Sequence, residues 1–108
     1  MGNNDIPTPR EPNYHLYILL CDENIFYTGI AIDPQLRLSQ HQSGAPYGAK
    51  FTRRFKNLQL VYQVPIGTRS EAQSLEIKVK KLSKRKKAEI INKQCTLDEL
   101  EIFISNHA

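Results

Sequence analysis

The chain has 108 residues, of which 40% are hydrophobic and 24% charged, and its formal net charge is +4. This length and composition indicate one folded domain and exclude global disorder and fibrous repeats. No apolar run approaches the ~20 residues of a membrane-spanning helix, and the first residues do not predict a secretory signal. The two cysteines, Cys21 and Cys95, are too far apart for a CxxC motif. We therefore expect a cytoplasmic protein without membrane contact.

The positive charge is concentrated in the middle of the sequence. Residues 35–87 contain thirteen basic and two acidic side chains, whereas residues 1–34 carry a net charge of −4 and residues 88–108 a net charge of −3. Clustered lysine and arginine displace counterions from phosphates, so this pattern favours a nucleic-acid partner. On composition alone, a well-solvated surface is an equally weighted alternative.

A flexible tail and a β-hairpin are predicted at the start of the chain. Residues 1–13 contain three prolines and one sizeable apolar side chain, so we expect them to be mobile. Residues 14–20 and 25–31 are rich in aromatic and aliphatic side chains and flank the segment CDEN. This arrangement is typical of two antiparallel strands joined by a short turn.

A helix, a loop and a third strand are predicted next. Asp33 can cap a helix over 34–43, and the proline that follows Asp33 suits the first helical position. Residues 44–57 show no clear period and contain two glycines and a proline, which predicts a loop. The segment LQLVYQV, residues 58–64, has the composition of a strand.

Three helices are predicted in the last third of the chain. Thr68 and Glu71 form a capping box that opens a helix over about 68–82, and a shorter helix follows over 84–93. A second capping box opens the closing helix. The box is Thr96 with Glu99, and the side chains expected to face inward are Leu97, Leu100 and Ile104.

The element order ββαβααα predicts an α+β fold, with a small three-stranded antiparallel sheet flanked by helices. We assign residues 14–93 to this domain and residues 94–108 to a C-terminal helix packed on it.

Tyr17 and Tyr27 lie in the two arms of the predicted hairpin. Both rings share a face of the sheet if paired residue numbers add to an even number, and they lie on opposite faces if the total is odd. A plain four-residue CDEN loop gives the odd case. The alternative to a joint role is that both rings simply pack a half-buried sheet.

Arg37 and His41 are four residues apart in the first predicted helix, so they lie on one face with Cβ atoms about 5–6 Å apart. The helix follows the Tyr27 strand after a short connection, which limits their distance from that tyrosine. A solvated polar face is the alternative interpretation.

Glu76 is the one acidic residue between Glu71 and Glu89, in the most basic part of the chain. Its helical angle places it at the margin of the apolar stripe, where it should be half-buried. An i, i+4 ion pair with Lys80 explains it without any function. A carboxylate at this margin could also hold Mg²⁺, with water completing the coordination.

Two segments contain most of the cationic side chains. KVKKLSKRKK, residues 78–87, has seven basic residues in ten, and AKFTRRF interleaves basic and aromatic residues. The phenylalanines Phe51 and Phe55 could stack bases, but anchoring the loop is the favoured interpretation. The predicted nucleic-acid-binding residues are Lys50, Arg53, Arg54, Lys80, Lys84, Arg85 and Lys87.

Five motifs in this order resemble the GIY-YIG nuclease domain, and specifically its small stand-alone bacterial members, over residues 14–91. They are LYILL with Tyr17, FYTG with Tyr27 and Gly29, RLSQH with Arg37 and His41, GAKFTRRF, and RSEAQSLEIKVKKLSKRKK with Glu76.

The resemblance implies a GIY-YIG-like fold and a metal-dependent endonuclease that hydrolyses phosphodiester bonds. Glu76 would bind a single divalent cation, Mg²⁺ or Mn²⁺, and Arg37 would stabilise the charge of the phosphate. Tyr17 and Tyr27 would orient the attacking water, and one of the two would accept its proton with help from His41.

The expected substrate is DNA rather than RNA, cleaved with low sequence specificity or by structure. Small GIY-YIG proteins usually obtain substrate choice from an attached domain, and we expect none in this sequence. A role in DNA repair is a further expectation, and no obligate protein partner is evident.

Three positions depart from the family pattern. His15 precedes Leu16-Tyr17 where the motif has glycine, Thr28 replaces an isoleucine, and Ala88 stands where many members have asparagine. One alternative function is a non-catalytic nucleic-acid-binding module that uses the basic 35–87 segment. Another is a scaffold with no nucleic-acid partner.

Overall fold

The computed structural model describes residues 13–43 and 52–107. The predicted tail therefore lies almost entirely outside the described residues, as does much of the predicted 44–57 loop. The elements in chain order are β1 Tyr14–Cys21, β2 Ile25–Ala31, α1 Pro34–Ser43, a 3₁₀ turn Thr52–Arg54, β3 Leu58–Gly67, α2 Arg69–Lys80, α3 Lys84–Lys93 and α4 Leu97–His107.

The three strands form one antiparallel sheet in the order β2-β1-β3. This sheet and the four helices confirm the α+β class and the order ββαβααα. β3 extends beyond the predicted residue 64 and includes Pro65, which pairs with His15. Proline lacks an N–H for the ladder but is tolerated here, because β3 is an edge strand.

The hairpin turn differs from the four-residue CDEN loop. Cys21 pairs with Ile25 and ends β1, so the turn has only residues 22–24. Asp22 adopts a left-handed conformation with φ of 50°, and its carboxylate accepts from the backbone N–H groups of Lys56 at 2.9 Å and Asn57 at 2.7 Å. These bonds attach the turn to the segment that enters β3.

The helix caps follow the local sequence signals. The Thr68 hydroxyl accepts from the Glu71 N–H at 3.2 Å, and the Glu71 carboxylate accepts from the Thr68 N–H at 2.9 Å. Thr96 and Glu99 form the same reciprocal pair at the start of α4. Both predicted capping boxes are confirmed, although α2 ends at Lys80 rather than near residue 82.

The main hydrophobic core lies between one face of the sheet and helices α2, α3 and α4. Of the three α4 side chains expected to face inward, Leu100 and Ile104 are buried and Leu97 is half-buried. Phe103 is also buried and was not predicted. The buried members of this core are Leu16, Ile18, Tyr62, Val64, Leu75, Val79, Leu82, Ile90, Cys95, Leu100, Phe103 and Ile104.

The opposite face of the sheet carries a smaller cluster against α1, made of Tyr17, Leu19, Cys21 and Leu58. Strand β1 is therefore buried on both faces, which fixes the position of its side chains. Among the helices of the described residues, none is long and apolar enough to cross a membrane.

Candidate active site

Tyr17 and Tyr27 lie on the same face of the sheet. Tyr17 pairs with Gly29 and Leu19 pairs with Tyr27, so paired residue numbers add to an even number. The two ring centroids are 6.4 Å apart, with the ring planes at 45°. The three-residue turn produces this register, and the arrangement required for a shared site is present.

Gly29 lies directly beneath the Tyr17 ring. A Cβ atom built on Gly29 would be 2.6 Å from the Tyr17 hydroxyl oxygen and 2.7 Å from the ring carbon that bears it. Such a separation is far below van der Waals contact, and the ring is buried, with 1% of its surface exposed. The glycine of the FYTG motif is therefore required by the position of the tyrosine hydroxyl.

Helix α1 brings His41 against both tyrosines. The Asp33 carboxylate caps the helix by accepting from the Leu36 N–H at 3.2 Å. Two turns further along, the His41 Nε2 atom is 3.0 Å from the Tyr17 hydroxyl, and the His41 ring stands edge-on to the Tyr27 ring at 5.2 Å. His41 is 1% exposed, so this contact lies in the interior.

The other ring nitrogen of His41 contacts the 3₁₀ turn. Nδ1 lies 2.7 Å from the hydroxyl oxygen of Thr52, a residue with no exposed surface. Thr52 belongs to the GAKFTRRF motif, but the sequence predicted no role for it. A threonine between basic and aromatic residues offers no local signal, because its partner lies eleven residues earlier.

Arg37 is half-buried on the same helix, and its Nη1 atom donates to Gln40 at 3.1 Å. Its guanidinium faces the Tyr17 hydroxyl, where its charge and its N–H donors favour the phenolate. The positive charge of Arg37 is thus directed at the tyrosine that His41 contacts.

Glu76 on α2 is half-buried, as predicted, with 19% of its side chain exposed. The Lys80 ammonium is 3.3 Å from its carboxylate, so the predicted i, i+4 pair is present. The charge of Glu76 also reaches Tyr17, where it disfavours the phenolate. The charges of Tyr27, Arg37 and Glu76 therefore act on Tyr17, whose hydroxyl also contacts His41.

Burial sets the protonation states of this site. Desolvation raises the pKa of Tyr17 above its ordinary value and outweighs the lowering by Arg37. Desolvation, and then the positive charge of Arg37, lower the pKa of His41 to about 4. At neutral pH, Tyr17 therefore keeps its proton and His41 is an uncharged imidazole.

Within residues 13–43 and 52–107, no three His, Cys, Asp or Glu side chains are grouped so that they could hold a metal ion. A cation at Glu76 would take its remaining ligands from water and from a phosphate. Mg²⁺ is suited to this, because it retains several waters and commonly binds through one carboxylate together with substrate phosphates.

The predicted cationic residues lie in several places. Lys84 donates to the Asn24 side chain at 3.1 Å across a pocket of about 290 Å³ that Ile25, Phe26 and Lys87 also line. Burial, and then the charge of Lys80, lower the pKa of Lys87. The sequence did not predict that the hairpin residues Asn24, Ile25 and Phe26 line a pocket with Lys84 and Lys87.

The remaining residues predicted to bind nucleic acid lie in different environments. Arg85 is exposed on α3, and the Arg54 guanidinium lies 5.4 Å from the centroid of the Phe55 ring. Phe55 packs against the Tyr17 cluster, which favours the anchoring interpretation over base stacking. Lys50 and the side chain of Arg53 lie outside the described residues.

Two departures from the motif pattern coincide with buried polar atoms that lack a partner. Within the described part of the chain, His15 Nδ1 and the Thr28 hydroxyl have no hydrogen bond. His15 is on the Tyr17 side of β1, and Thr28 faces the main core beside Ile18. Glycine at position 15 and isoleucine at position 28, the residues of the family motif, would leave neither polar atom buried.

The model of the GIY-YIG catalytic domain matches residues 13–89. This match spans more than half of the chain, and the chain belongs to the GIY-YIG family. Family membership indicates a nuclease-type enzyme that acts on nucleic acid.

Bacterial proteins named UPF0213 are similar to this chain. The UPF0213 protein of Cronobacter sakazakii is 42% identical over 78 residues, which cover 72% of this chain and 80% of that protein. A UPF0213 protein of Serratia liquefaciens is 43% identical over 88 residues, covering 81% and 84%. The UPF0213 protein BH0048 of Bacillus halodurans, solved by solution NMR, is 35% identical, covers 82% of this chain and 93% of its own, and gives a TM-score of 0.48.

Proposed function

We propose that this protein is a divalent-metal-dependent endonuclease that hydrolyses phosphodiester bonds in DNA, with low sequence specificity or with preference for a DNA structure. The observation that carries the proposal is the meeting of Tyr17, Tyr27 and His41 on one face of the sheet, with the charges of Arg37 and Glu76 acting on the same hydroxyl. A module that only binds nucleic acid has no need for this combination.

Arg37 would bind the non-bridging oxygens of the scissile phosphate. Negative charge builds on these oxygens as the attacking oxygen approaches phosphorus, and a half-buried guanidinium stabilises it more strongly than an exposed one. The hydrogen bond from Arg37 to Gln40 holds the guanidinium on the site side of α1.

Tyr17 would orient the attacking water as a neutral hydroxyl. Its raised pKa excludes a standing phenolate at neutral pH, so its oxygen can accept from water only while its own proton is donated elsewhere. His41 Nε2 is placed to take that proton at 3.0 Å. Tyr27, whose ring also contacts the imidazole, would limit the positions that the water can take.

Glu76 would hold the cation, which when bound supplies positive charge that stabilises the leaving oxygen. The carboxylate is contacted by Lys80, an ammonium whose side chain is 53% exposed and can move to solvent. Lys80 would therefore neutralise Glu76 in the free protein and turn toward a phosphate when the cation enters.

The substrate would extend along the lysines that follow Glu76. Lys80 pairs with Glu76 and acts on Lys87, and Lys87 lines the same pocket as Lys84 at the hairpin turn. Ammonium groups on both α2 and α3, one of them paired with the Glu76 carboxylate, suit a polyanion with phosphates on both sides of the cleavage point. This supports a nucleic acid over a small phosphodiester.

The test is a nuclease assay on linear, nicked and branched DNA and on RNA, with Mg²⁺ and Mn²⁺ varied. Glu76→Gln should abolish cleavage while leaving DNA affinity nearly intact, and Glu101→Gln on the exposed side of α4 is the matched control. Cleavage that persists in Glu76→Gln would disprove the metal role. Salt-sensitive binding without cleavage by the wild type would instead favour the non-catalytic module.

The cytoplasmic location and the role in DNA repair stay predictions from the sequence.

A further inference from the structure

The contacts of Tyr17 determine the direction of a chain of hydrogen bonds. Its oxygen lies 3.0 Å from His41 Nε2, and the Arg37 guanidinium acts on it through its charge and its N–H donors, whereas Tyr27 and Glu76 act on it through charge alone. A guanidinium has only donors, so Arg37 cannot accept the Tyr17 proton. Because the phenol is 1% exposed, a proton without an acceptor there would carry the full cost of desolvation.

His41 Nε2 must therefore be the acceptor, which requires a bare Nε2 atom. His41 is neutral at physiological pH, so its single ring proton is on Nδ1. The Nδ1–H group then donates to the Thr52 hydroxyl oxygen at 2.7 Å. The hydrogen bonds run in one direction, from Arg37 to Tyr17, from Tyr17 to His41 and from His41 to Thr52.

We propose that Thr52 is a positioning residue that holds His41 in the Nδ1–H tautomer, so that the Tyr17 proton points at the imidazole and the Tyr17 lone pairs point away from it toward the attacking water. The proposal rests on the proposed nuclease function for its catalytic consequence, but the tautomer itself does not depend on activity.

The proton movement balances as follows. Water gives a proton to the Tyr17 oxygen while the original Tyr17 proton passes to His41 Nε2. The water oxygen forms the new bond to phosphorus, and the bond to the leaving oxygen breaks. The leaving oxygen takes a proton from solvent, and His41 returns its extra proton to solvent through Tyr17. Thr52 accepts from Nδ1–H throughout, which stabilises the imidazolium while it exists.

Thr52 also has a structural role that a substitution of its side chain would spare. Its backbone carbonyl accepts from the Phe55 N–H at 3.1 Å and closes the 3₁₀ turn. Thr52→Val keeps this bond and nearly the same side-chain shape but removes the hydroxyl. Thr52→Ser keeps the hydroxyl and is the matched control.

The experiment measures the ring-nitrogen signals of His41 by NMR in ¹⁵N-labelled protein near pH 7, together with kcat and KM for DNA. The wild type and Thr52→Ser should show the Nδ1–H tautomer, and Thr52→Val should shift toward Nε2–H. Thr52→Val should lower kcat roughly tenfold or more with KM little changed, and Thr52→Ser should recover most of the rate.

An Nε2–H tautomer in the wild type overturns the proposal, even if Thr52→Val fails to fold. So does a Thr52→Val protein whose tautomer or kcat is unchanged. If the wild type has the Nδ1–H tautomer and Thr52→Val shifts it, but the wild type cleaves no substrate, the proposed nuclease function fails and the positioning of His41 by Thr52 is supported.

Discussion

The two faces of the central strand β1 differ in chemistry, although alternate residues of one segment supply both. Leu16 and Ile18 face hydrocarbon from α2, α3 and α4, whereas Tyr17 faces an imidazole, a second phenol and a guanidinium. All three β1 side chains are almost completely buried. The comparison teaches that the hydrocarbon face supplies stability, which allows the other face to bury polar groups at fixed positions.

Two buried threonines show the same contrast on a smaller scale. Thr52 on the polar face is hydrogen-bonded to His41, and Thr28 faces the hydrocarbon core, where its hydroxyl has no partner among the described residues. The same side chain is therefore expected to have opposite effects when its hydroxyl is removed.

The largest expected effect on stability comes from the hydrocarbon face. Leu16→Ala should lower the free energy of unfolding by about 2–5 kcal/mol, because Leu16 is fully buried and its loss leaves a cavity. Urea unfolding measures the loss. The cleavage rate per folded molecule should stay close to that of the wild type, and a selective loss of rate without loss of stability would contradict the division between the two faces.

The pH dependence of stability should report the buried imidazole of the polar face. Folding lowers the pKa of His41 from its ordinary value of 6.5 to about 4, so between these values the unfolded chain binds more protons. The contribution of His41 to the free energy of unfolding is therefore fully present above pH 6.5. It is lost as the pH drops toward 4, by roughly 3 kcal/mol in total. Urea unfolding at pH 7, 6 and 5 should show a steeper loss in the wild type than in His41→Gln. Equal slopes would mean that His41 titrates normally.

Gly29→Ala should affect both properties. The added methyl group requires the Tyr17 hydroxyl to move, and a buried ring has little space to do so. We expect the free energy of unfolding to fall by about 1–3 kcal/mol. The cleavage rate should fall by a larger fraction than the free energy of unfolding. A fully active Gly29→Ala protein would show that the position of the Tyr17 hydroxyl does not matter.

Thr28→Val should have the smallest effect, and in the opposite direction. It removes a buried hydroxyl that has no hydrogen bond within the described part of the chain, and it places a branched apolar residue where the family motif has isoleucine. A gain of about 1 kcal/mol in the free energy of unfolding is expected, with no change in cleavage. A loss of stability would indicate that the hydroxyl has a partner such as bound water.

Local signals in the sequence predicted most of the fold. The capping box of Thr68 and Glu71 lies within four residues, and the helix that it opens begins where expected. The register of the hairpin could not be read in the same way. It depends on Asp22, whose carboxylate bonds to backbone groups 34 and 35 residues away, and no local pattern contains that contact.

The site shows the same limit. Arg37 and His41 became candidates because they are four residues apart on one helix, and Glu76 became a candidate because it is acidic among basic residues. Thr52 was missed because its role is defined by a nitrogen of His41, and Phe103 was missed although it is buried in the core. The role of Thr52 and the burial of Phe103 both depend on contacts between separate elements, which a local sequence pattern does not contain.

The central claim is that the polar face of β1 catalyses phosphodiester hydrolysis, and one pair of substitutions tests it directly. Tyr17→Phe and Tyr62→Phe each remove one buried hydroxyl, on opposite faces of the sheet, and the Tyr62 hydroxyl donates to the Cys95 carbonyl at 2.6 Å. The measurement is the single-turnover rate of DNA cleavage with Mg²⁺. Tyr17→Phe should lower this rate roughly a hundredfold or more, and Tyr62→Phe should leave it nearly unchanged. Equal rates for Tyr17→Phe and the wild type would contradict the account.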